Sequence, residues 1–216
     1  MLKKLLVLLL LLPLSVFAKF YQGTITLTNG TVRQGYIKLP TEPTDSKIKF
    51  RAEEKGKNEK YKINEVREFE IINDDKETIR FTTIYLGSPR LFNHSEFKIE
   101  KKKSWVSIVK EGGIALYGAH YAPRAGSGMH PGTSSSPGGV VFYIQRPGET
   151  HALYLYTIEN FSFTIAINSF KELRKIIKLY FDKICPNLES LITKADFKEN
   201  GLSYIVNLYD ENCGKE

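Results

Sequence analysis

Apolar and polar positions alternate from Phe20 to Leu39. Tyr21, Gly23, Ile25 and Leu27 fall on one parity, and Val32, Gly35 and Ile37 belong to a returning segment. The Asn29-Gly30 pair between them predicts a two-residue hairpin turn, since both residues tolerate positive φ. Residues 40–45 read as a loop. Short strands follow at Ile48–Phe50, Tyr61–Ile63, Val66–Ile72 and Thr78–Leu86, separated by a charged turn around Gly56 and by Asn73-Asp74-Asp75-Lys76. Several short strands at this spacing predict a small antiparallel barrel or rolled sheets. Residues 87–95 read as a connection on the strength of Gly87-Ser88-Pro89, and Glu96–Lys101 as an edge strand. Trp105–Val109 and Ile114–Tyr117 form a hairpin across Glu111-Gly112-Gly113, with glycines expected to supply positive φ. Val140–Gln145 and His151–Tyr156 flank Arg146-Pro147-Gly148-Glu149, which carries the Pro-Gly signature of a type II turn.

The period changes at Ser169. Ser169 and Glu172 have the spacing of a capping box, and Phe170, Leu173, Ile176, Ile177, Tyr180 and Phe181 make one stripe at helical spacing. Pro186 suits the first position of a second helix, backed by Leu188, Leu191 and Ile192. A third short helix follows Asn200 with Leu202, Ile205, Val206 and Tyr209. The fold class expected is therefore α+β: an antiparallel β-rich body with a C-terminal cap of about three short helices. The divisions are a leader over 1–18, an N-terminal β unit over 19–86, a second β region over 96–167 with an insert at 118–139, and a helical segment over 168–216.

The leader follows from Lys3 and Lys4, the apolar run Leu5–Leu12, Pro13, and small residues at Val16 and Ala18, a pattern of signal peptides cleaved after Ala18. Its apolar run is shorter than the ~20 residues needed to span a bilayer. The chain is thus expected to be exported, periplasmic or secreted, with a mature part that does not span a membrane. Net charge is +7, falling to +5 without Lys3 and Lys4, and the excess is spread out apart from Lys101-Lys102-Lys103. That density argues against nucleic acid as a partner, and lysines on strands also discourage edge pairing. The two cysteines, Cys185 and Cys213, are expected to form a disulfide in an exported chain.

Candidate chemistry concentrates in the Gly/Ser/Pro/His-rich insert from Gly118 to Gly139. His120, Tyr121, Arg124, Met129 and His130 form a candidate ligand loop, because His and Met are ligands for copper and other soft metals. The insert has no Cys, Asp or Glu, so no metal or cofactor is assigned. Gly126-Ser127-Gly128 lacks the Gly-Lys-Ser/Thr that phosphate binding requires. No Gly-x-Ser-x-Gly elbow is present. His94 and His151 stand alone, and the pairs Glu53-Glu54 and Asp74-Asp75 sit in turns where neighbours point apart, so no catalytic residue is assigned. Asn29, Asn93 and Asn160 begin N-x-S/T triplets that would be glycan acceptors only in a eukaryotic setting.

The Gly23–Ile37 hairpin, the Tyr61–Phe69 segment, the Val109–Tyr117 hairpin and the Cys185-Pro186…Cys213 tail together resemble a group of exported β-rich proteins of Gram-negative, Bacteroidota-type bacteria. The likeness spans most of the chain after residue 18, and the 118–139 insert is less typical of the group. It implies a periplasmic or extracellular setting and lends no catalytic residue. The expected function is binding or assembly without catalysis, with a protein, peptide or glycan of the envelope as partner. The competing expectation is a small-ligand or metal-binding protein, or a hydrolase, that uses the 118–139 loop as a lid.

Overall fold

The computed structural model describes residues 19–90, 93–123, 138–159 and 167–214. The leader, the 91–92 pair and the greater part of the insert, including Arg124, Met129 and His130, lie outside the described residues. So do residues 160–166.

Among the described residues ten strands form one sheet: β1 (Tyr21–Leu27), β2 (Val32–Lys38), β3 (Lys47–Arg51), β4 (Glu59–Lys62), β5 (Val66–Ile72), β6 (Thr78–Arg90), β7 (Asn93–Glu111), β8 (Ala115–Tyr121), β9 (Gly139–Gln145) and β10 (His151–Glu159). The strand order is β10-β9-β8-β7-β6-β5-β1-β2-β3-β4. Its first half rolls around Ile25, Ile37, Ile48, Phe50, Phe69 and Ile71, all on the inward parity of their strands. Its second half closes into a ring. Strands β6 to β10 run alternately up and down, so the fifth meets the first in parallel, with His151 opposite Tyr85 and Leu153 opposite Gly87. Inside the ring lie Ile84, Leu86, Val106, Tyr117, Ala119, Tyr143 and Ala152.

The other parity of β8–β10 is also apolar. Leu116, Ile144, Leu153 and Leu155 are buried under the helices α1 (Ile167–Phe181), α2 (Leu188–Leu191), α3 (Lys194–Asn200) and α4 (Tyr204–Asn212). The expected stripe is the one used: Leu173, Ile177, Tyr180 and Phe181 are buried, with Phe170 and Ile176 packed beside them. Cys185 and Cys213 form the expected disulfide, their Cα atoms 5.8 Å apart, tying the end of α1 to the end of α4.

The β6–β7 hairpin joins all three packing centres. Phe81 and Trp105 complete the first core, Ile84 and Val106 stand in the ring, and Phe97 meets Tyr180 of α1 edge-on with ring centroids 5.2 Å apart. Residues 87–90 and 93–95, expected to be a connection, are therefore strand. Pairing there continues through Ser88 opposite Lys98 and Pro89 opposite Phe97, which the Pro does not prevent because its nitrogen side needs no partner at that edge.

Four local expectations are corrected. Among the described non-glycine residues only Lys76 has positive φ, so the 28–31 turn is not the two-residue type. Gly30 alone is left-handed (φ +87), following a turn closed by Gly30 N–H to Leu27 O at 3.0 Å. Gly112 and Gly113 do not take positive φ either. They make room for α4: Gly113 N–H donates to Asp210 Oδ1 at 2.7 Å, and a Cβ on Gly112 would lie 2.1 Å from Asp210 Oδ2. Helix α1 starts at Ile167, so Ser169 lies inside its first turn rather than at its cap. Pro186 precedes α2, whose N-cap is Asn187, and an additional helix, α3, is capped by Thr193 Oγ1 accepting from Asp196 N–H. The Arg146–Glu149 turn has the expected form, with Gly148 at φ +73.

Lys76 repeats the Gly30 geometry without a glycine. Its φ is +65, and its N–H bonds to Asn73 O at 3.1 Å. A left-handed non-glycine residue costs about 1–2 kcal/mol, partly offset by the entropy glycine loses on folding. Lys76→Gly should raise stability by about 0.5–1 kcal/mol in urea unfolding; a variant less stable than the parent would contradict this account of the turn.

Candidate functional site

Of the five residues of the candidate ligand loop, only His120 and Tyr121 are described, and both belong to strand β8. They pair with Val140 and Gly139 of β9. The insert is therefore shorter than expected, because Gly118 and Ala119 are small for packing rather than for looseness. Ala119 is fully buried, and a Cβ on Gly118 would stand 2.9 Å from Ser107 Oγ. His120 edges a cavity of about 220 Å3 whose walls include Leu39, Pro43, Ile79, Phe81 and Trp105. One side of its imidazole is open to solvent. The apolar wall on the other side desolvates it and holds its pKa below the ordinary histidine value.

Ser107 Oγ lies 3.1 Å from His120 Nε2 and donates to Gly118 O at 3.1 Å. Which of the two donates follows the tautomer of the imidazole. The pair anchors the end of β8. Among the described residues no group of three His, Cys, Asp or Glu side chains is placed to hold a metal. His151 Nε2 stands 3.7 Å from Glu149 Oε2 at the start of β10.

The densest chemistry lies elsewhere, on the outer face of β2–β4. Alternation turns Ile37, Ile48 and Phe50 inward and leaves Tyr36, Lys38, Lys47, Lys49 and Arg51 outward. Register then aligns them. Lys38 is opposite Lys49, Lys49 opposite Lys60, and Lys47 opposite Lys62. Directly opposite side chains share a face with Cβ atoms about 5 Å apart, where like charges repel. None of these five lysines forms an ion pair among the described residues. Of the carboxylates nearby, Glu54 lines the same depression as the lysines without an ion pair among the described residues, whereas Asp74 pairs with Lys19 and Glu59 with Arg33. Hydrogen bonds from Arg33 hold the Glu59 carboxyl below the usual carboxylate range.

Arg51 heads the lysine rows and is fixed in place. Its guanidinium lies 3.9 Å from the Phe20 ring centroid, its Nε donates to Asn58 Oδ1 at 2.8 Å, and its Nη1 donates to Glu54 O at 3.1 Å. Its Nη2 makes no hydrogen bond among the described residues. Edge protection accounts for lysines on β4, the sheet's edge strand, but not for Lys38 and Lys49 on the paired strands β2 and β3. The run of three adjacent lysines, Lys101–Lys103, forms no such patch. Its residues alternate between the faces of β7, and Lys103 sits 5.9 Å from the ring of Tyr85.

Sequence reading missed this face. Lys47-Ile48-Lys49-Phe50-Arg51 and Glu59-Lys60-Tyr61-Lys62 do carry a signal, cations on every second position. Which row meets which depends on register, and that is set by the turns and the buried parity. No family model, no curated protein and no solved structure matches the chain.

Proposed function

We propose that the chain is an exported, non-catalytic binding protein of the bacterial envelope or its surroundings, and that it engages an anionic partner through the outer face of β2–β4. The observation that carries this reading is the unpaired row Lys38–Lys49–Lys60 across three adjacent strands, two of them interior to the sheet. Lysines opposed in this way weaken the free protein by a few tenths of a kcal/mol per pair and strengthen it when an anion lies across them. Export is supported by the basic and apolar pattern of residues 1–18 and agrees with the disulfide. No described helix is long and apolar enough to cross a membrane.

The test uses protein recovered from a bacterial periplasm, where Lys19 is the expected first residue, with dextran sulfate as probe and uncharged dextran as control. Substituting Lys38, Lys49 and Lys60 together by Gln should flatten the dependence of log affinity on log salt by about three, one per lost cation. The same variant should melt no lower than the parent, since it removes repulsion. A triple variant that binds as tightly as the parent, with the same salt slope, removes the proposal.

A further inference from the structure

The lysine rows border a second kind of surface. The cationic depression, about 800 Å3, is lined by Phe20, Tyr36, Lys38, Lys49, Arg51 and Asn58 among others. Directly beside it lies a depression of about 390 Å3 lined by Gln22, Thr24, Gln34, Tyr36, Glu70 and Thr78 among others. Tyr36 is the wall they share. Register accounts for this: Gln22 is opposite Tyr36, Tyr36 is opposite Arg51, and Thr24 lies between Gln34 and Glu70. A single outward face therefore runs from amide, hydroxyl and the Glu70 carboxylate, through a phenol, to a fixed guanidinium and lysines with Glu54 among them.

We infer that this face takes a linear acidic polysaccharide, with anionic sugars over the lysines and Arg51 and a hydroxyl-rich sugar over Gln22, Gln34 and Glu70. This inference rests on the reading of the lysine face as an anion-binding surface. The cations supply charge but no selectivity among polyanions. The amides and the Glu70 carboxylate accept and donate hydrogen bonds at the density sugar hydroxyls need. The half-buried Tyr36 ring offers an apolar face to sugar C–H groups with its hydroxyl at the edge. A phosphodiester strand leaves the amide depression without a matching ligand group and places an anionic backbone near Glu70. A membrane surface calls for an exposed apolar wedge among the cations; the apolar side chain there, Phe20, is half-buried, with the Arg51 guanidinium 3.9 Å from its ring centroid.

The experiment compares a hyaluronan oligosaccharide, in which a uronate alternates with a neutral sugar, with an oligothymidylate of equal charge, by calorimetry on the full exported chain at physiological salt. The saccharide should bind at least ten-fold tighter. Tyr36→Ala should weaken the saccharide about ten-fold, Tyr36→Phe should retain most of that affinity, and neither should change the salt slope. The triple lysine variant should weaken both ligands. Equal affinities with a silent Tyr36→Ala would overturn the polysaccharide inference and leave the anion-binding reading standing. Preference for vesicles containing phosphatidylglycerol over the saccharide would overturn it in favour of a lipid surface. Failure of every polyanion to bind would overturn both.

Discussion

Trp105→Ala is expected to cost roughly 3–5 kcal/mol, the scale of deleting a large aromatic ring from a packed core. The ring is 2% exposed and meets Phe69 at 5.6 Å between centroids, itself stacked on Phe81 at 4.7 Å. It also holds a loop. The indole N–H donates to Asp45 O at 2.7 Å, and the Trp105 backbone N–H donates to Pro43 O at 2.8 Å. Truncation therefore leaves a cavity and a carbonyl without its partner, and the second loss adds about 1–3 kcal/mol where the group stays buried. Trp105→Phe separates these effects, since it keeps most of the apolar volume and loses only the indole donor. It should cost clearly less than the alanine variant. Urea unfolding followed by circular dichroism measures both. A loss below about 1 kcal/mol for Trp105→Ala would mean that the first core does not depend on the residue.

Replacing Cys185 and Cys213 by serine is expected to cost about 3.5 kcal/mol, the chain entropy released when a loop of this size opens. The sequence separation is 28 residues and encloses α2, α3 and α4, none longer than nine residues. Helices this short have little stability of their own and depend on packing. Cys185 is 1% exposed and belongs to the same cluster as Leu188, Ile205 and Val206, so the loss falls first on the cap. The location can be read directly. Trp105 is the single tryptophan and lies in the first core, away from the cap. In the serine variant, helical ellipticity should fall at lower urea than tryptophan fluorescence changes. Coincident transitions at the parent's midpoint would show that the bond contributes nothing to the cap.

The fold was largely legible because burial imposes period two on β1–β3 and a helical stripe on α1. Ile25, Ile37, Ile48 and Phe50 stand where alternation puts them, and so do Leu173, Ile177 and Phe181. Turn geometry was less legible, because a residue's tolerance of positive φ does not mean that it adopts it. Asn29 and Gly112 tolerate the left-handed region and do not use it, while Lys76 is disfavoured there and does. The parallel seam between β10 and β6 joins residues 66 apart and has no local signature. The lysine face was half legible: parity within each strand shows in the sequence, but the meeting of three lysines across strands needs the register. His120 was drawn toward a ligand loop by its glycine-rich company, and the sheet instead holds it beside Ser107.

The β6–β7 hairpin has a consequence for the order of assembly. A chain made from its N-terminus has released β1 to β5 long before Trp105 appears, yet the core those strands surround is filled only when Phe81 and Trp105 arrive. The ring behind them cannot seal until Leu153 meets Gly87. The native packing of the early strands therefore depends on residues that come far later in the chain. Under the proposed export, a fold completed this late suits a chain that is threaded unfolded through a narrow pore.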